Sequence, residues 1–181
     1  MVALHEWLSP TRTAGLVAYT VSSLACAARW AHCRRNRLPS RPFGAFAAVQ
    51  LGLLLDMAFD WRWKLHDFWM REAMASGVYD RRRLPQMLAL GLLALGVSLA
   101  SAAILYRCRR RVGVALAMTG TLLSVGLWCS ESISLHLMDR VFYHQVGKVM
   151  LVSLLWVALA ALTCLGVWLD MRMFSQADPT R

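Results

Sequence analysis

The sequence is short of nearly everything that marks a catalyst or a stapled fold. Its five cysteines, Cys26, Cys33, Cys108, Cys129 and Cys164, contain no CxxC pair, and three of them fall inside apolar blocks. A disulfide framework and a zinc ribbon are therefore not expected, and the cysteines read as small buried hydrophobes. There is no HExxH, no Gly-x-Ser-x-Gly elbow, and no Walker or Rossmann glycine pattern, so the commonest metalloprotease, esterase and nucleotide-binding chemistries have no support. Nor is there a sustained apolar/polar alternation of the kind a membrane β-barrel needs.

What is present is apolar sequence in long blocks. Of 181 residues 58% are hydrophobic, and they are segregated rather than interleaved with polar residues as in a soluble domain. Five blocks stand out: 14–31, 43–60, 84–106, 112–135 and 146–169. Each is about 18–24 residues, or ~27–36 Å as helix, against a hydrocarbon core of ~30 Å. The expected fold is all-α: a single integral-membrane domain over 1–181, a polytopic bundle with five transmembrane helices. Pro39 and Pro42 break the chain between the first two blocks, and Pro85 occupies a tolerated first-turn position.

The formal charge of +10 does not point to nucleic acid. The arginines sit in short clusters beside apolar blocks, where they act as topology signals and headgroup anchors. Arg29, Arg34, Arg35 and Arg37 follow the first block, and Arg107, Arg109, Arg110 and Arg111 fill the turn between the third and fourth. Leu24-Ala25-Cys26 resembles a lipoprotein cleavage site, but the charge follows the apolar segment instead of preceding it, the reverse of a signal peptide. These short basic turns predict a bacterial inner (plasma) membrane protein with its N-terminus outside and C-terminus in the cytoplasm. Eight of the ten acids then lie outside.

A shift of 75 positions overlays two helical hairpins. Ser23-Leu24-Ala25-Cys26-Ala27-Ala28 meets Ser98-Leu99-Ala100-Ser101-Ala102-Ala103, and Cys33-Arg34-Arg35 meets Cys108-Arg109-Arg110. Two helices per unit preserve orientation, so the expectation is a parallel repeat with a fifth helix added. The same shift sets Asp56 against Glu131. Asp56 lies ~20 Å along its helix from Phe43, within hydrocarbon depth, where an ionisable group must face other helices or water.

The segment from Asp56 to Arg71 carries Asp56, Asp60, Lys64, Asp67 and Arg71 at spacings of four, four, three and four. On a continuous helix these align as one polar stripe. Trp61, Trp63, Phe68 and Trp69 suit the headgroup level, so residues 61–75 either extend the second helix or lie in the interface. If the fourth helix continues past Glu131, His136, Asp139 or Arg140, Tyr143 and His144 share a face. The candidate outer site is thus Asp56, Asp60, His66, Asp67, Glu131, His136, Asp139 and His144.

Three functions follow in order of preference. The first is a small accessory, assembly or interaction subunit with a polar outer surface, contacting the lipid bilayer and another membrane protein or a second copy of itself. The second is a membrane-embedded hydrolase or lipid-modifying enzyme, one version of which holds Zn²⁺ or another first-row metal on His66, His136 and His144. The third is a proton- or cation-coupled transporter subunit using Asp56. No cofactor is expected; a haem held by two of the histidines is the least favoured option.

Overall fold

The computed structural model describes residues 9–38, 41–77, 83–133 and 140–176. Six long helices account for most of them: α1 (Pro10–Arg35), α2 (Arg41–Phe59), α3 (Trp61–Ala75), α4 (Arg83–Arg107), α5 (Val112–Ile133) and α6 (Leu151–Gln176). Ser9 caps α1 by accepting from the Arg12 amide at 3.3 Å, with Pro10 in the first turn where its missing N–H costs nothing. Four helices are long and apolar enough to cross a membrane, over Pro42–Phe59, Arg83–Arg107, Val112–Ile133 and Leu151–Met173. The count of five expected from the blocks is not met by this measure, because α1 includes Arg12, Arg29, Arg34 and Arg35 in its 26 residues.

α1, α2, α5 and α6 close into a four-membered ring, each packed on the next. α4 stands outside the ring against α5, with only Leu90 buried. Its outward leucines, Leu84, Leu88, Leu92, Leu95 and Leu99, form an apolar surface of the kind a bilayer covers. α1–α2 and α4–α5 are both hairpins, as the 75-residue shift requires, but α1 is a member of the ring whereas α4 is peripheral. α3 lies across one end, touching α5 and the end of α2.

Within the ring two apolar clusters are separated by a polar layer. One gathers Tyr19, Leu53, Met57, Val152 and Trp156; the other gathers Cys26, Cys33, Phe43, Ala117 and Val167. Between them Ser22 donates to the Gln50 side-chain oxygen at 3.1 Å, and Gln50 donates to Thr121 at 3.4 Å. With no water to compete, such interhelical bonds tie α1, α2 and α5 at a common level, each worth ~0.6 kcal/mol on average. All five cysteines are free.

The α5–α6 contact is a seam of small residues. A Cβ on Gly113 would lie 2.7 Å from Asp170 Cα, one on Gly120 would lie 2.9 Å from the Thr163 amide, and one on Gly166 would lie 2.8 Å from Ala117 Cα. Small residues at this spacing let the two backbones approach, which is how membrane helices gain dispersion contact.

At the end remote from α3, Arg29 meets Asp170 through Nε at 2.8 Å and Nη2 at 2.6 Å, with side-chain exposures of 1% and 2%. The ring of Phe43 lies 5.8 Å from this guanidinium. Both charges read from the sequence as boundary residues, Arg29 in a basic loop and Asp170 in a tail. The helices instead run past the apolar blocks, to Arg35 and Gln176, because each charge finds its partner inside. A further difference lies before α6. The expected fifth block began at Val146, but 145–150 form a two-stranded hairpin pairing Gln145 with Met150 and Val146 with Val149. Gly147, at φ 68°, supplies the positive dihedral of the two-residue turn.

Replacing Gly166 by Ala should cost about 1–3 kcal/mol, because the methyl presses on the α5 backbone. Gly91→Ala on α4, where a Cβ meets nothing within 4 Å, should instead gain ~0.5–1 kcal/mol. Unfolding in mixed micelles titrated with SDS measures both.

Candidate functional site

The candidate site begins with a break in a helix. α2 ends at Phe59 because Asp60 adopts a left-handed conformation, φ 56° and ψ 36°. Aspartate tolerates this region better than most residues. Backbone bonding continues around it: the Asp60 amide donates to the Asp56 carbonyl at 2.8 Å, and the Lys64 amide donates to the Asp60 carbonyl at 3.2 Å. The chain therefore turns without unravelling. The expected stripe from Asp56 to Arg71 is divided between two helices and does not form one face. Residues 61–75 are a separate helix rather than an extension of α2.

The turn brings Arg62 onto Asp56. On one straight helix the two would lie ~120° apart around the axis and ~9 Å along it. Here the Arg62 amide donates to Asp56 Oδ1 at 2.9 Å, and Arg62 Nε lies 3.6 Å from Oδ2. Asp56 thus satisfies a first-turn amide of α3, while the N-cap residue Asp60 makes no side-chain cap bond. Arg62 Nη1 pairs with Glu131 Oε2 of α5. Its Nη2 lies 3.7 Å from Met57 Sδ, and the guanidinium lies 5.5 Å from the ring centre of Trp156 on α6. Asp56, Arg62 and Glu131 are 5%, 6% and 4% exposed.

Asp60 is used differently. Its carboxylate is 2.9 Å from Arg12 Nη2, and the same nitrogen donates to the Met57 and Ala58 carbonyls at 3.1 and 3.0 Å. Arg12 therefore satisfies carbonyls left open at the end of α2 and holds the residue that turns the chain. The Met150 amide donates to Thr11 at 3.1 Å, joining the hairpin to α1.

These groups border a cavity of ≈390 Å³ lined by Arg12, Asp60, Arg62, Trp63, Glu131, Tyr143 and Trp156 among others. Trp63 and Tyr143 are 6.0 Å apart in a tilted arrangement. The Trp156 indole N–H serves as a second donor to the buried Glu131 carboxylate. An apolar groove of ≈480 Å³ shares Arg62 and Asp56 and runs along Val49, Gly52, Leu53, Leu65 and Trp128.

Of the residues singled out from the sequence, Asp56 and Glu131 meet on Arg62, and Asp60 lies at the edge of the same cavity. His66 is half-buried, with its ring 6.1 Å from Trp63. Asp67 is exposed, and its carbonyl accepts from Arg71 at 3.2 Å. His144 is exposed, its carbonyl accepting from the Leu151 amide at 2.9 Å. His136 and Asp139 lie outside the described residues. No three histidine, cysteine or acidic side chains come together as a metal site among the described residues. Arg62, Arg12 and Trp156 complete the site and were not among the sequence candidates. Arg62 sits within Trp61-Arg62-Trp63-Lys64 and reads as a headgroup anchor; Arg12 is the lone cation ahead of its apolar block.

Arg62→Met should destabilise the protein by about 3–5 kcal/mol, since it leaves two buried carboxylates facing each other. The triple variant Asp56→Asn, Arg62→Met, Glu131→Gln removes all three charges and should recover most of that loss, as thermal unfolding in nanodiscs would show. Comparison with protein-family models, curated proteins and solved structures finds no match for this chain, so its function is argued from the geometry.

Proposed function

We propose that this is a five-span protein of a bacterial inner membrane, N-terminus outside and C-terminus inside, that acts as a binding and interaction subunit through its outer end. The observation that carries this reading is the buried Asp56–Arg62–Glu131 cluster beside a cavity of ≈390 Å³.

The fifth span is α1. Its 26 residues reach ~39 Å, and it packs between α2 and α6 for its length. Arg29, its most deeply buried charge, is neutralised by Asp170 at 1% exposure, which makes a membrane position tolerable. The orientation follows from the basic turn between α4 and α5 and the basic end of α1. α3 then rests at the outer interface, with Trp61, Trp63, Phe68 and Trp69 exposed at headgroup level and available to lipid or a partner subunit.

A binding role is favoured over conduction because the bundle is filled at its other end by Cys26, Cys33, Phe43, Ala117 and Val167. The hydrolase reading asks the histidines to converge on the acids, and His66 and His144 do not.

Reporters fused separately to the N- and C-termini should report opposite sides of the membrane. Termini on the same side would mean an even number of spans and remove α1 from the membrane.

A further inference from the structure

We infer that the groove between α1 and α2, at the end of the bundle remote from α3, seats one anionic phospholipid, with its acyl chain in the groove and its phosphate on Arg34. The seat lies apart from the cavity at the α3 end. It takes α1 and α2 as adjacent spans, a reading that the terminal reporters test separately.

The seat starts from spacing on α1. Ser23, Ala27, Trp30 and Arg34 recur at intervals of four, three and four, so they share one face of the helix. Opposite them α2 presents Gly44, Ala45, Ala47 and Ala48, whose short side chains leave a groove of ≈460 Å³ lined also by Leu51. Ser23 donates to the Ala47 carbonyl at 3.4 Å and ties the two helices beside it. A Cβ on Gly44 would lie 3.0 Å from Trp30 Nε1; without one, the indole rests against α2. The Arg34 guanidinium lies 5.3 Å from the Trp30 ring centre, so a positive charge stands where the apolar lining stops.

Length and charge name the occupant. From Ser23 to Trp30, and from Gly44 to Leu51, the groove runs ~10 Å along each helix. That fits within one leaflet, half of a ~30 Å hydrocarbon core. A partner helix crossing the bilayer would need a seam through both leaflets, whereas an acyl chain with its headgroup at this boundary needs only one. Arg34 makes no ion pair among the described residues. Exposed Arg35, Arg37, Arg107, Arg109, Arg110 and Arg111 stand at the same end. The one acid there among the described residues is Asp170, already spent on Arg29. So positive a surface selects an anionic headgroup over a zwitterionic one. A guanidinium can meet phosphate through two parallel N–H donors, and the Trp30 ring gives this one a face to stack on.

Native mass spectrometry of the full chain in detergent, titrated with phosphatidylglycerol or with phosphatidylcholine of the same chain length, tests the seat. Wild type should retain one phosphatidylglycerol saturably and hold phosphatidylcholine about tenfold more weakly, the loss of a charge-assisted contact. Arg34→Gln should weaken phosphatidylglycerol binding by about the same factor. Ala48→Leu fills the groove without touching the charge and should weaken it several-fold. Arg110→Gln removes one charge from the α4–α5 turn and should bind as wild type. All three positions are exposed, so the variants should fold. Equal weakening in Arg34→Gln and Arg110→Gln overturns the seat in favour of diffuse attraction. Phosphatidylcholine held as tightly as phosphatidylglycerol overturns the anionic assignment. Weakening in Arg34→Gln with none in Ala48→Leu, together with competition by inorganic phosphate, overturns the lipid in favour of free phosphate. Unchanged binding in both Arg34→Gln and Ala48→Leu overturns the inference entirely.

Discussion

Buried between two carboxylates, the guanidinium of Arg62 determines how the α3 end of this bundle is built. It reaches Asp56 on α2, Glu131 on α5 and the ring of Trp156 on α6 from its own place on α3. The desolvation of three charged groups costs several kcal/mol per ion and is repaid only by close pairing. That requirement explains the unusual backbone beside it. A continuous α2–α3 helix would carry Arg62 away from Asp56, so the chain turns at Asp60, and Arg12 covers the carbonyls the turn leaves open.

The two ends of the bundle follow one rule with different consequences. Arg29 and Asp170 balance one for one, are almost wholly buried, and sit where apolar packing closes the bundle. The cluster at the α3 end has two acids to one guanidinium, with Trp156 also serving Glu131, and a cavity beside it. The first arrangement is a lock between α1 and α6. The second is a lock between α2, α3 and α5 that joins three helices through one guanidinium.

Apolar blocks and basic turns were enough to indicate a helical bundle with long apolar helices, since both signals are local. The two key acids were also visible, as isolated charges near the end of an apolar run. Their partners were not. Arg62 lies in a run of tryptophans and charges where any cation looks interfacial, and its value depends on a left-handed turn at Asp60 that no glycine or proline announces. Arg29 and Asp170 are 141 residues apart, each at an apparent boundary, so their pairing exists only in three dimensions. The α5–α6 seam shows the same limit: Gly113, Gly120 and Gly166 become a feature only when set opposite one another. The hairpin at 145–150 was hidden because strands of two residues leave no periodicity to read.

The central claim is that Arg62 fixes α3 against the bundle. Pulsed electron resonance between spin labels at two exposed positions, Asp67 on α3 and Lys148 on the hairpin, tests it most directly. Wild type should give one narrow distance distribution, and Arg62→Gln should broaden it as α3 loses its hold on Asp56 and Glu131. A distribution equally narrow and unshifted in Arg62→Gln would contradict the account, as would a broad one in wild type.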